Sequence, residues 1–239
     1  AKAILLYIES IDERRNFVAA ARAAARNKPL LMLKAGRSDA DRPIGAFLSE
    51  ALATHDEGFD ALARRPGALR VDQLDELFAA AETLARSTRV RGERLAVLCN
   101  GADVGLMASD ELALSAMAPP AQLPDKVFAR LASLEQSLAI PGNPLDLGTA
   151  AGPTQYTEAL AALAEEADPD VVLALHAPAV LADAEAIARA LAQAHERLGG
   201  NLLTCWLGGE TAQAARRILS QAGLPTYDTL GHAVRGFRH

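Results

Sequence analysis

Aromatic side chains are scarce in this chain of 239 residues, at 4% of the total. Half of the residues are nonetheless hydrophobic, so its cores must be aliphatic, built from leucine, alanine and valine. That composition suits helices packed on a buried parallel sheet. Cysteine is almost missing as well. Cys99 and Cys205 are the only two, each inside an apolar run, with neither CxxC spacing nor a neighbouring His/Asp cluster. This excludes a disulfide framework and a cysteine metal site, and it favours a reducing, cytoplasmic setting. No apolar run approaches the ~18 residues of a membrane span, and no signal-peptide pattern is visible. The expectation is therefore no membrane partner. Dense Lys/Arg runs are lacking too, and the net charge is −6, so nucleic-acid binding is not expected.

What the sequence does contain is alternation. Five short apolar runs stand out, at residues 3–8, 29–33, 94–99, 171–177 and 202–207. They are continuous rather than alternating, as strands buried on both faces of a parallel sheet are. Helical periodicity lies between them. Ser10-Ile11-Asp12-Glu13 has the form of a capping box opening a helix that runs to Arg26. Leu74, Leu77, Phe78, Ala81 and Leu84 form one stripe, Val127, Phe128, Leu131 and Leu134 a second, and Tyr156, Leu160 and Leu163 a third. A helix from Asp183 is expected to end at Gly199-Gly200, one from Glu210 near Gly223, and a last short one to start at Thr229. The pattern predicts an α/β fold of two flavodoxin-like, three-layer units with parallel sheets, residues 1–90 and 91–239. The first unit has strand signals for only two or three strands. It reads as the back half of such a domain, with an open sheet edge that favours a homo-oligomer.

In open parallel sheets, ligands sit at the carboxyl ends of strands, where helix N-termini point. Three turns have this character: Asn100-Gly101 with Gly105 following, Pro141-Gly142-Asn143-Pro144-Leu145-Asp146, and Gly208-Gly209-Glu210. Backbone N–H groups there would attract phosphate or carboxylate. Each turn also has a plainer reading, as a βα connection whose Asn and Asp satisfy local backbone groups. His176 ends a strand, where it could face a site or serve the core. No Ser/His/Asp arrangement can be assembled from spacing alone.

Taken in order, these segments resemble one family. Ile4-Leu5-Leu6-Tyr7-Ile8-Glu9-Ser10-Ile11 and Lys28-Pro29-Leu30-Leu31-Met32-Leu33-Lys34-Ala35-Gly36-Arg37-Ser38 look like a subdomain of the NDP-forming acyl-CoA synthetases, relatives of succinyl-CoA synthetase. The Asn100, Asn143 and Gly208 turns look like the flavodoxin-like subdomain that follows it. The resemblance implies a loop whose histidine carries a phosphoryl group. Laid on that pattern without gaps, this chain has Leu48 in the histidine slot and Glu9 at the position that orients the histidine. Leucine has no atom to phosphorylate. His55 is a fallback only if the loop realigns by seven positions. A histidine-less version of the region resembles the synthetase part of bacterial Pat-type protein lysine acetyltransferases, where it is joined to a GNAT domain and is regulatory. The expectation is thus a regulatory or scaffolding fragment without catalytic residues. The alternative is an active ADP-forming acyl-CoA synthetase fragment. Asn100, Gly101, Gly105, Asn143, Asp146, Gly208, Gly209 and Glu210 would bind phosphate or another anion. No metal and no cofactor are expected in the fragment itself. The parent would use CoA or acyl-CoA and ATP/ADP with Mg, through CoA-binding and ATP-grasp domains.

Overall fold

A computed structural model of the chain describes residues 2–36, 56–86, 92–132, 141–198 and 201–238. The chain divides into two compact units at residues 85 and 86.

The first unit runs β1 (Ile4–Ile8), α1 (Arg14–Ala25), β2 (Leu30–Lys34), α2 (Asp56–Arg64), β3 (Leu69–Val71) and α3 (Leu74–Arg86). The sheet order is β1-β2-β3 and both pairings are parallel. Strand β2 is central and buried along its whole length. Leu30 and Met32 pack with Ile11, Ala21, Phe59 and Ala63 on the α1/α2 side. Leu31 and Leu33 pack with Val71, Leu77 and Ala80 on the α3 side. Two covered faces explain the unbroken apolar run. Strand β1 is half covered: Ile4, Leu6 and Ile8 join the α1/α2 core, whereas Leu5 and Tyr7 are 43% and 69% exposed.

The expected capping box of α1 does not form. The helix begins at Arg14 with no side-chain cap on Glu13, and the Ser10 hydroxyl turns to Asp12 instead. Ile11 is buried in the core, so the chain must deliver that side chain before it can wind.

The second unit runs β4 (Leu95–Cys99), α4 (Ala102–Leu114), α5 (Asp125–Ala132), β5 (Leu145–Asp146), α6 (Pro153–Ala162), β6 (Val171–His176), α7 (Ala184–Ala194), β7 (Leu202–Trp206), α8 (Gln213–Gln221), β8 (Thr226–Tyr227) and α9 (Leu230–Arg238). Helix α6 runs on as a π turn (Leu163–Ala167), and α7 as a 3-10 turn (His195–Leu198). The order β5-β4-β6-β7-β8, parallel throughout, is the flavodoxin-like one. Helices α5 to α8 cover one face through Val127, Leu131, Tyr156, Leu160, Ile187 and Leu219. Helices α4 and α9 pack on one another and on β4 and β7.

Every long apolar run became a strand, within a residue of its expected limits. The strands that the runs did not announce, β3, β5 and β8, have three, two and two residues. The stretch from Glu210 opens with a 3-10 turn (Glu210–Ala212) before α8. Asp183 does cap α7, its carboxylate accepting from the Glu185 and Ala186 N–H groups at 3.0 Å each. Gly199 and Gly200 lie outside the described residues.

Candidate functional site

The carboxyl edge of the second sheet collects most of the chemistry. Strand β4 ends at Cys99, and Gly101 opens α4 with no side-chain cap. The leading N–H groups of that helix have no partner within it. Beside it, β5 pairs Asp146 with Cys99. The Asp146 carboxylate is 8% exposed and accepts from the Gly148 N–H at 2.8 Å, which folds the next loop back. A methyl group built on Gly101 would meet nothing nearer than the Thr149 methyl, at 3.9 Å. Gly101 and Thr149 thus lie side by side at the start of α4, with Asp146 on the neighbouring strand end. Thr149 was not among the residues expected from sequence, because nothing in a Gly-Thr pair marks which way the loop folds.

Gly105 does a different job. A methyl group there would lie 2.9 Å from Pro144 Cβ and 3.1 Å from Cys99 Sγ, so it is the place where α4 presses on the Asn143-Pro144 turn. The two asparagines are also committed elsewhere. Asn100 donates to the Ala177 carbonyl and accepts from its N–H, both at 2.8 Å, tying the end of β4 to the end of β6. Asn143 accepts from the Val97 N–H at 2.8 Å and donates to the carbonyls of Leu95 at 2.9 Å and Ala121 at 2.7 Å. Both amides have all or most of their capacity bound to backbone. Their observed role is to hold turns.

The Gly208-Gly209 turn follows β7. Gly208 takes φ +98, and a methyl there would sit 2.6 Å from Pro178, so glycine is required on both counts. The Arg216 guanidinium grips this turn from below. It donates to the carbonyls of Trp206 at 2.7 Å, Gly208 at 3.2 Å and Gly209 at 2.8 Å. Glu210 is exposed at the start of the 3-10 turn.

Both cysteines are inert thiols. Burial pushes Cys99 up to about 11 and Cys205 up to about 12. Behind β6 lies a ring stack that the sequence did not announce. His176 and Trp206 stack with centroids 5.3 Å apart, and the Tyr156 hydroxyl donates to the Leu175 carbonyl at 2.7 Å while lying 3.4 Å from His176 Nδ1. Burial holds His176 down at about 4 and raises Tyr156 well above its usual range.

In the first unit, Glu9 is exposed just past β1. Lys34, paired with Ile8 at the end of β2, is buried, and its ammonium donates to the carbonyls of Ala35 at 3.2 Å and Gly36 at 2.9 Å. Leu48 and His55 lie outside the described residues. Among the described residues, no group of three His, Cys, Asp or Glu side chains could hold a metal ion, and no helix is long and apolar enough to cross a membrane.

Residues 1–84 match the family model of the succinyl-CoA ligase like flavodoxin domain. The first unit is a succinyl-CoA ligase-like domain. Homologues extend the likeness over the second unit as well. The chain is 29% identical over 235 residues to acetate–CoA ligase (ADP-forming) I of Archaeoglobus fulgidus, covering 97% of this chain and 33% of that protein. It is 27% identical to the alpha subunit of acetate–CoA ligase (ADP-forming) II of Pyrococcus furiosus, covering 95% and 50%. Among solved structures, the dinucleotide forming acetyl-coenzyme A synthetase 1 of Ca. Korarchaeum cryptofilum superposes with a TM-score of 0.86 at 21% identity, over 99% of this chain and 52% of that one. The same fold is thus shared end to end. The chain spans between a third and about half of the length of these relatives.

Proposed function

We propose that this chain is a region of an ADP-forming acyl-CoA synthetase, a protein interconverting acid, CoA and ATP with acyl-CoA, ADP and phosphate. The observation that carries the reading is the match of 97% of the chain to an ADP-forming acetate–CoA ligase. The alpha-subunit relative, of which the chain covers 50%, supports partners that supply the remaining parts, including CoA-binding and ATP-grasp domains. The contribution assigned to this region is to hold a phosphoryl group at the start of α4. There the N–H groups of Ala102, Asp103 and Val104 have no acceptor within the helix, the helix dipole is positive, and Gly101 adds no side chain. Thr149 stands beside it, its methyl 3.9 Å from where a Gly101 Cβ would lie. Asp146 sets the loop geometry by accepting from the Gly148 N–H. The nucleotide, when bound, supplies the phosphoryl group and its accompanying Mg; the residues of this region only receive and orient it.

The test is to combine the chain with the CoA-binding and ATP-grasp domains of a relative, add acetyl-CoA, ADP and phosphate, and follow ATP. Formation of ATP there, and in a separate incubation with γ-labelled ATP an acid-labile label on a histidine of this chain that His55→Ala removes, supports the synthetase reading with His55 as carrier. A second reading is favoured by Leu48, which occupies the slot where the resemblance calls for a histidine. On it, the region is a non-catalytic scaffold that retains the ligand pocket. Absence of both ATP and label, with phosphate still binding at α4, selects that reading. The named relatives are synthetases, and an acetyltransferase parent has no support from them.

A further inference from the structure

The first unit carries a groove that the proposed function does not use. It lies between α1 and α2 and has a volume of about 460 Å³, within the range of small-molecule sites. Both helices follow strands of one parallel sheet and send inner residues into one core, Ala21 from α1 and Phe59 and Ala63 from α2. They therefore run in the same direction, with the groove along their outer sides. Arg14 and Arg15 line one end of it, in the first turn of α1. Arg22, in the last turn of α1, and Arg65, just past the end of α2, line the other. There the Arg22 guanidinium donates to the Arg65 carbonyl at 3.4 Å and joins the two helices. Between the ends the lining is aliphatic, with Val18 and Ala19 on one side and Ala61 and Leu62 on the other.

Among the described residues, four arginines and no carboxylate line this groove, in a chain whose net charge is −6. Two neighbouring acids hold other partners. Glu13 accepts from the Asn16 amide, and Asp60 pairs with Arg64 at 2.8 Å and Arg70 at 3.9 Å. A solvated helix face ordinarily mixes both signs, as α2 does with Asp60 and Arg64 outside the groove. Charge of one sign over an aliphatic floor is instead complementary to an anion with an apolar body. Guanidinium is also the side chain whose forked N–H groups match a carboxylate. The positive charge is divided between two ends. Arg14 and Arg22 stand just over two helical turns apart on α1, a rise of about 12 Å.

We propose that this groove is a binding site for an elongated dianion, a molecule with a carboxylate at each end and an aliphatic middle. Arg14 and Arg15 hold one carboxylate, Arg22 and Arg65 the other, and the chain between them lies on Val18 and Leu62. Sebacate (decanedioate) is the probe, a straight dicarboxylate whose extended length suits that separation.

The experiment titrates the whole chain calorimetrically at pH 7 with sebacate, with decanoate, which keeps one charged end, and with decanediol, which keeps none. The expected result is saturable binding of one sebacate per chain that weakens as salt is raised, decanoate weaker by about tenfold or more, and no response to decanediol. Three substitutions at exposed positions locate the site. Arg15→Gln and Arg22→Gln each remove a cation from one end, and each lowers the sebacate affinity toward that of decanoate. Ala61→Leu fills the groove and abolishes binding, in a chain whose circular dichroism is unchanged. Should Ala61→Leu fail to fold, the two arginine variants decide the location. No saturable response to sebacate, decanoate binding as tightly as sebacate, an effect from only one of the two arginine variants, or unchanged binding in a folded Ala61→Leu chain overturns the proposal.

Discussion

At the residue scale, His176 links burial to pH. Its ordinary value of 6.5 falls to about 4 because burial penalises the imidazolium. The unfolded chain takes up a proton at this residue as pH drops through 6.5, while the folded chain does not until about 4. Stability from this group is therefore complete above pH 6.5 and is lost progressively down to about 4, by on the order of 2–3 kcal/mol. His176→Leu lacks this dependence. Urea unfolding at pH 7 and pH 4.5 should show the stability of the native chain falling relative to the variant by that amount; parallel slopes would show the ring is not desolvated. The same scale explains what was legible in sequence. Asn100 and Asn143 were expected at a ligand because they sit in Gly/Pro turns at strand ends. An amide in such a turn can serve ligand or backbone equally, and only the three-dimensional partners, Ala177 for one and Val97, Leu95 and Ala121 for the other, decide between them.

At the scale of elements, α4 is the piece whose design bears on function. Its N-cap is Gly101, without a side-chain cap, in an extended conformation open to other residues. Aspartate at an N-cap is as good as or slightly better than glycine for helix stability. It also places a carboxylate where the phosphoryl group is proposed to sit. Gly101→Asp should therefore leave the melting temperature unchanged or a little higher while weakening phosphate binding by tenfold or more, read by calorimetric titration. A variant that loses stability and binding together would place the effect in folding and not in the anion site. Elements were readable in proportion to their length. The five-residue runs of β1, β2, β4 and β7 carry enough buried aliphatic side chains to announce themselves. The two-residue β5 and β8 are extended only because a neighbour offers a ladder, a non-local cause that no local pattern records. The α1 start was misjudged for a related reason: core burial of Ile11 overrode the cap signal of Ser10 and Glu13.

At the scale of the molecule, the two units differ in how completely they cover their sheets. In the second, all five strands lie in one sheet with helices on both faces. In the first, three strands form the sheet, and on the α3 side the side chains of β1 stand out, Leu5 at 43% and Tyr7 at 69% exposure, while Phe78 on α3 is 61% exposed. Among the described residues, strand β1 is also an edge of its sheet. An apolar face beside an open edge is a place where further chain packs or a second copy adds. The whole chain at high concentration should accordingly self-associate, measured by light scattering and by sedimentation. The double substitution Leu5→Lys and Tyr7→Lys, which changes only exposed positions, should shift it toward monomer without lowering the unfolding midpoint by more than about 1 kcal/mol equivalent. If association persists in that variant, the contact lies elsewhere, and the exposed β1 face has no partner in the isolated chain.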